Sequence, residues 1–129
     1  MKWINNYLPA IVWFIVILIL IGIPGNYIPP INPLAEILSI DKVVHFIIFG
    51  IFVALTMLGS YRQYKVGVRS KYTVYALFVG VLAGGLTEIL QETIFIGRYG
   101  SVWDFLADTI GCGIGVLIFF VYNKKNKEV

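Results

Sequence analysis

The chain has 129 residues, of which 59% are apolar and only 13% are charged, and its mean hydropathy is +0.86. No ordinary soluble domain of this length has that composition, so residues 1–129 read as one integral membrane domain of the all-α class. The net charge of +3 does not indicate nucleic acid, because the basic residues sit in short clusters between apolar runs, and the lone Cys112 excludes an intrachain disulfide or a cysteine zinc site.

Leu8 to Ile23 is broken only by Pro9 and Gly22, and reads as a first membrane helix at about 8–23. One lysine precedes it and no small-residue cleavage pattern follows, so it is expected to be retained rather than removed as a signal peptide. Pro24, Gly25, Pro29, Pro30 and Pro33 break any helix through residues 24–34, leaving an interfacial loop around Tyr27. Residues 36–40 suggest one short interfacial turn.

Asp41 opens the second helix, at about 42–60, where its carboxylate suits the exposed N–H groups and the positive end of the helix dipole. Residues 61–72 hold four cations and no anion, and a third helix is expected at about 73–96. The fourth, at about 102–122, is followed by a tail with three lysines. On that helix Asp104, Asp108, Gly111 and Gly115 recur at spacings of four, three and four, which places two carboxylates and a smooth groove on one face. Gly80, Gly84 and Gly85 on the third helix, with Gly111 and Gly115, allow close helix contact, which we assign within the chain; an oligomer is possible but nothing in the sequence indicates one.

Orientation follows from the cations. Lys2, Arg62, Lys65, Arg69, Lys71, Lys124, Lys125 and Lys127 fall on one side of a four-helix arrangement, and only Lys42 and Arg98 on the other. The positive-inside rule makes both termini cytoplasmic. Asp41, Lys42, His45, Glu88, Gln91, Glu92, Arg98, Asp104 and Asp108 then all lie toward the outer leaflet. At about 1.5 Å per residue, Glu88 is about 22 Å from Thr73, Asp108 about 21 Å from Tyr122 and His45 about 24 Å from Tyr61, so the three reach one depth. A polar layer there needs partners, because an ionised Asp at mid-helix costs about 2.5–3.5 kcal/mol on insertion scales. Arg98 is the natural partner for Glu88 or Asp104. The five carboxylates exceed the two cations, which calls for a proton, a bound cation or a cationic ligand.

The motifs Asp41-Lys42-x-x-His45-Phe46-x-x-Phe49-Gly50, then Glu88-x-x-Gln91, then Arg98-x-x-Ser101-x-x-Asp104-x-x-Ala107-Asp108-x-x-Gly111-x-x-x-Gly115 resemble those of the VanZ-like membrane proteins. The resemblance runs from Asp41 through the fourth helix, about three quarters of the chain. It implies a bacterial envelope module whose namesake is associated with reduced susceptibility to the glycopeptide teicoplanin, and it brings no reaction with it. Asp108 stands where the family pattern leads one to expect Asn, adding a charge.

Two functions follow from these residues. In the first, Asp41, Lys42, His45, Glu88, Gln91, Arg98, Ser101, Asp104 and Asp108 bind an envelope lipid head group or a glycopeptide at the outer leaflet. In the second the layer is catalytic, with Glu88 or Asp108 as base, His45 as acid or metal ligand, Arg98 holding a phosphate and Asp104 a further candidate. Binding is preferred, because Ser101 has no adjacent base in sequence and no HExxH or similar pair occurs; no metal is assigned and no cofactor is specified. A proton-coupled transporter is weakened by the absence of ionisable residues from the inner half of every helix.

The orientation has a direct test. Cysteines introduced at Ser70 and Asn126 are expected to resist an impermeant thiol reagent in intact cells, and one at Gly100 to react. The reverse pattern would invert the topology.

Overall fold

The computed structural model describes residues 2–24, 27, 40–65 and 71–125, and these form four helices with no strand among the described residues. They are α1 (Lys2–Ile21), α2 (Ile40–Tyr64), α3 (Lys71–Thr93) and α4 (Val102–Lys125). Each has 20 to 25 residues, enough at about 1.5 Å per residue to cross a hydrocarbon core of about 30 Å. All four are also apolar enough to do so.

The helix ends differ from those read in the sequence. α1 starts at Lys2 and carries Pro9 in its interior, where the ring removes one backbone bond, a loss that a membrane helix with neighbours tolerates. α2 continues to Tyr64 and stops where Lys65 turns to a φ of 56° and donates its N–H to the Tyr61 carbonyl at 2.8 Å. This is a left-handed helix cap built without glycine. α3 ends at Thr93 rather than 96, because Ile94 and Phe95 both bond back to Leu90 and the chain then turns through Gly97 at φ 70°. Most of the expected interfacial loop and turn, and the centre of the basic loop, lie outside the described residues.

Contacts between helix ends give the topology. Tyr7 pairs with Ser60, Tyr64 stacks on Tyr72 and Tyr61 meets Phe119, so the start of α1, end of α2, start of α3 and end of α4 share one end of the bundle. The opposite end gathers the start of α2, the end of α3 and the start of α4. α2 is the hub: it packs most extensively on α4, then on α1, whereas α1 and α3 barely meet. In its most apolar stretch 56% of residues are buried, against 22–28% in the other helices. The outward belt of Ile19, Val74, Phe78, Leu82, Ile89, Ile110 and Leu117 is exposed, as lipid-facing positions should be.

Lipid is as apolar as leucine, so hydrophobicity does not draw these helices together; close packing does. A Cβ added at Gly111 would collide with the Phe46 carbonyl, and one at Gly115 with the Gly50 carbonyl, while a Cβ at Gly50 itself would lie 3.1 Å from the Gly111 oxygen. α2 and α4 thus meet backbone to backbone, and the glycines are used within the chain. Gly80 completes the seam from α3, its missing Cβ position lying 2.5 Å from Val53 and 2.8 Å from the Cys112 sulfur. Cys112 is fully buried there and acts as packing. Gly115→Ala is therefore expected to destabilise the fold by about 1–3 kcal/mol, seen as earlier loss of monodisperse protein on heating in detergent. Gly113→Ala, which meets nothing within 4 Å, should leave that temperature unchanged.

Candidate functional site

The α2–α4 seam sets the geometry of the polar end. His45 precedes Phe46, whose carbonyl touches Gly111, and Asp108 lies one turn before Gly111, so the close backbone contact brings the two side chains together. His45 Nδ1 lies 2.9 Å from Asp108 Oδ1. An ionised carboxylate can only accept, so Nδ1 donates to it, and in the neutral ring Nε2 then carries the lone pair. Both residues are sealed from the surface, His45 at 1% and Asp108 at 0% exposure. Glu88 of α3 comes within 3.7 Å of the same ring nitrogen through Oε1.

The other oxygen of Glu88 accepts the Ser101 backbone N–H at 2.6 Å, and Glu92 Oε2 accepts that of Gly100 at 2.8 Å. Two carboxylates at the end of α3 thereby hold the approach to α4. Ser101 is the N-cap of α4: its Oγ accepts the Asp104 N–H at 3.4 Å and its carbonyl accepts that of Phe105 at 3.0 Å. That hydroxyl is a structural acceptor, in keeping with its lack of an adjacent base.

The cations take partners other than those expected for Arg98. Arg98 Nη2 donates to Asp41 Oδ1 at 3.1 Å, and with its amide oxygen turned toward the guanidinium Gln91 accepts from Nη2 at 2.7 Å and from Nε at 3.2 Å. Neither Glu88 nor Asp104 is its partner. The turn through Gly97 swings Arg98 back across the start of α2, where Asp41 stands, so Asp41 is engaged by the guanidinium as well as being the acidic residue of the first turn of α2. Lys42 pairs with Asp104 at 3.6 Å. That is an ion pair but too long for a hydrogen bond.

Every sequence-derived site residue lies at this end of the bundle, in two linked groups. His45, Glu88, Asp108 and Ser101 form the inner one, and Asp41, Lys42, Gln91, Arg98 and Asp104 the outer one. Three buried polar atoms have no hydrogen-bond partner among the described residues: His45 Nε2, Asp104 Oδ1 and Asp108 Oδ2. Two sets of donors stand close enough to share an ion, with ligand atoms within 4.8 Å of one another: Asp41, His45 and Asp104, and His45, Glu88 and Asp108. Sequence spacing missed both, because each set draws on separate helices.

Gly84 was read only as a packing residue, yet it belongs to the site. Its missing Cβ position lies 3.1 Å from Asp108 Oδ2, so a side chain there would press on the buried carboxylate. The signal was its spacing one turn before Glu88 on the same helix face. A shallow cleft of about 340 Å³ opens beside Glu88 and Glu92, walled by Ile89, Val102 and Phe105.

Arg98→Lys tests the outer group. An ammonium cannot span Asp41 and Gln91 with the guanidinium's planar set of donors, so a stability loss of about 1–3 kcal/mol is expected. Thermal unfolding in detergent should show it, with the 81% exposed Tyr99 changed to Phe as a neutral control.

A family model described as VanZ/LLP1 matches residues 1–123. Comparison with curated proteins and with solved structures returns no match.

Proposed function

The chain belongs to the VanZ/LLP1 family, and from that premise we propose that it is a multi-pass protein of the bacterial cytoplasmic membrane, with both termini cytoplasmic, whose outer-side polar layer binds the head group of an envelope lipid or a glycopeptide and lowers susceptibility to teicoplanin. The observation that supports this reading is the trio of buried atoms without a hydrogen bond among the described residues, His45 Nε2, Asp104 Oδ1 and Asp108 Oδ2. Each buried polar atom without a partner costs about 1–3 kcal/mol, which a ligand offering hydrogen bonds would recover. The cleft beside Glu88 and Glu92 is walled by Ile89, Val102 and Phe105, a lining suited to a molecule with an apolar body and a polar head. Arg98 and Lys42 already stand against Asp41 and Asp104, and carboxylates are in excess. Hydroxyl, amide or ammonium donors therefore match the layer better than a bare phosphate.

One observation favours a second reading, an intramembrane enzyme acting on a lipid-linked or phosphate-bearing envelope substrate. His45 is oriented by Asp108 through Nδ1, leaving Nε2 available as a general base, with Glu88 and Asp104 nearby. The reading needs water or a substrate hydroxyl as nucleophile, since Ser101 is engaged in capping.

Both readings require the layer to do more than join helices. Membrane hydrogen bonds are worth only about 0.6–2 kcal/mol, so His45→Gln, Glu88→Gln and Asp104→Asn should keep normal membrane abundance. Teicoplanin protection of expressing cells is expected to be lost in all three. Full protection in all three variants would refute a working role for the layer.

A further inference from the structure

We propose that Asp41, His45 and Asp104 form a binding site for one divalent transition-metal ion at the polar end of the bundle. The ion takes two of the three atoms that support the head-group reading, His45 Nε2 and Asp104 Oδ1, leaving Asp108 Oδ2 and the open coordination positions to an envelope ligand. The inference departs from the sequence reading, which assigned no metal. The three residues place their donor atoms within 4.8 Å of one another. Asp41 and His45 share one face of α2 at i and i+4, and Asp104 faces them from the first turn of α4. Small side-chain rotations close that spread onto an ion bound at about 2.0–2.2 Å.

The proposal does not rest on clustered acids alone. His45 is 1% exposed and its Nε2 has no partner among the described residues; Asp104 is 5% exposed and its Oδ1 is likewise without a hydrogen bond. The neutral form of the ring offers a nitrogen lone pair there and Asp104 a carboxylate oxygen, which are two donor types a metal takes. Lys42 approaches Asp104 Oδ1 only to 3.6 Å, so the ion pair does not use that oxygen for a hydrogen bond.

The second set, His45, Glu88 and Asp108, is less suited. The histidine nitrogen that faces Glu88 and Asp108 is Nδ1, which donates to Asp108 and so has no lone pair left for an ion. Asp108 then has the role of the outer carboxylate that fixes a metal-binding histidine: by accepting from Nδ1 it leaves Nε2 as the ligand. Charge points the same way, since Asp41, Glu88, Glu92, Asp104 and Asp108 outnumber Lys42 and Arg98 by three, and a dication offsets two of those charges.

One imidazole with two carboxylates selects Mn²⁺ or Zn²⁺ over the all-oxygen preference of Ca²⁺ and Mg²⁺. Asp41, 35% exposed through its side chain, lies on the open rim, so ions enter past it and the remaining coordination positions face outward.

The test uses tag-free full-length protein in detergent, stripped with a chelator and titrated with Mn²⁺ and with Zn²⁺. Wild type is expected to bind one equivalent saturably and to unfold at a higher temperature when loaded, with Mn²⁺ showing ¹⁴N coupling in pulsed electron paramagnetic resonance. His45→Gln should abolish that coupling, and Asp41→Asn, a rim change that leaves the buried pair intact, should weaken binding at least about tenfold, the scale of a single lost oriented partner. Glu88→Gln should leave affinity and coupling unchanged. Absence of saturable binding by folded wild type, or binding and coupling that persist in His45→Gln, would overturn the site; weakened binding in Glu88→Gln with Asp41→Asn unaffected would move it to the rejected set and equally overturn the assignment.

Discussion

The backbone contact between α2 and α4 is the constraint on which this protein depends. At Gly50, Gly111 and Gly115 the two helices approach until carbonyl oxygens lie where side chains would otherwise be. Between apolar helices in lipid there is no hydrophobic reward for association, so the dispersion contacts and polar bonds made possible by close approach must supply it. The same approach carries His45 against Asp108 at 2.9 Å. Packing and site are one feature seen from two directions.

Around that seam the polar end is organised by mutual satisfaction. Glu88 and Glu92 accept the backbone N–H groups that a helix start leaves exposed, Arg98 ties the turn after α3 to the start of α2, and Lys42 stands beside Asp104. These bonds account for much of the charge as scaffold. They do not account for His45 Nε2, Asp104 Oδ1 and Asp108 Oδ2, which is why the layer reads as more than helix glue. The opposite end uses milder chemistry: a Tyr7–Ser60 hydrogen bond, an Asn6–Gln63 hydrogen bond and stacked tyrosines. No carboxylate occurs among the described residues there.

The assignment of Arg98 shows where reading by charge alone goes astray. Glu88 and Asp104 appeared to be its partners because each would otherwise be an unsatisfied charge near hydrocarbon. Partner choice was decided instead by the turn at Gly97, which directs the guanidinium across to Asp41 and Gln91, and by prior engagement of Glu88 with a backbone N–H. Gly84 illustrates the complementary omission, since a residue without a side chain announces no chemistry even where it makes room for a buried carboxylate.

The sequence by itself determined that four helices of spanning length exist, that His45, Glu88 and Asp108 reach a similar depth with Asp41, Gln91 and Asp104 on the same half, and that Gly111 and Gly115 line the same face as two carboxylates. These are properties of composition and of a 3.6-residue period, which act within one helix and need no neighbour. Tertiary structure alone decided that His45 meets Asp108, that Arg98 turns to Asp41, and that three donors from α2 and α4 converge around unpartnered atoms. Such pairings depend on helix rotation, on spacing and on the path of short turns, and a one-dimensional pattern leaves all three free. Helix ends were legible only approximately for a related reason: Pro9 stays inside α1 and Lys65 ends α2 without glycine because neighbouring helices, rather than local propensity, decide how far each helix runs.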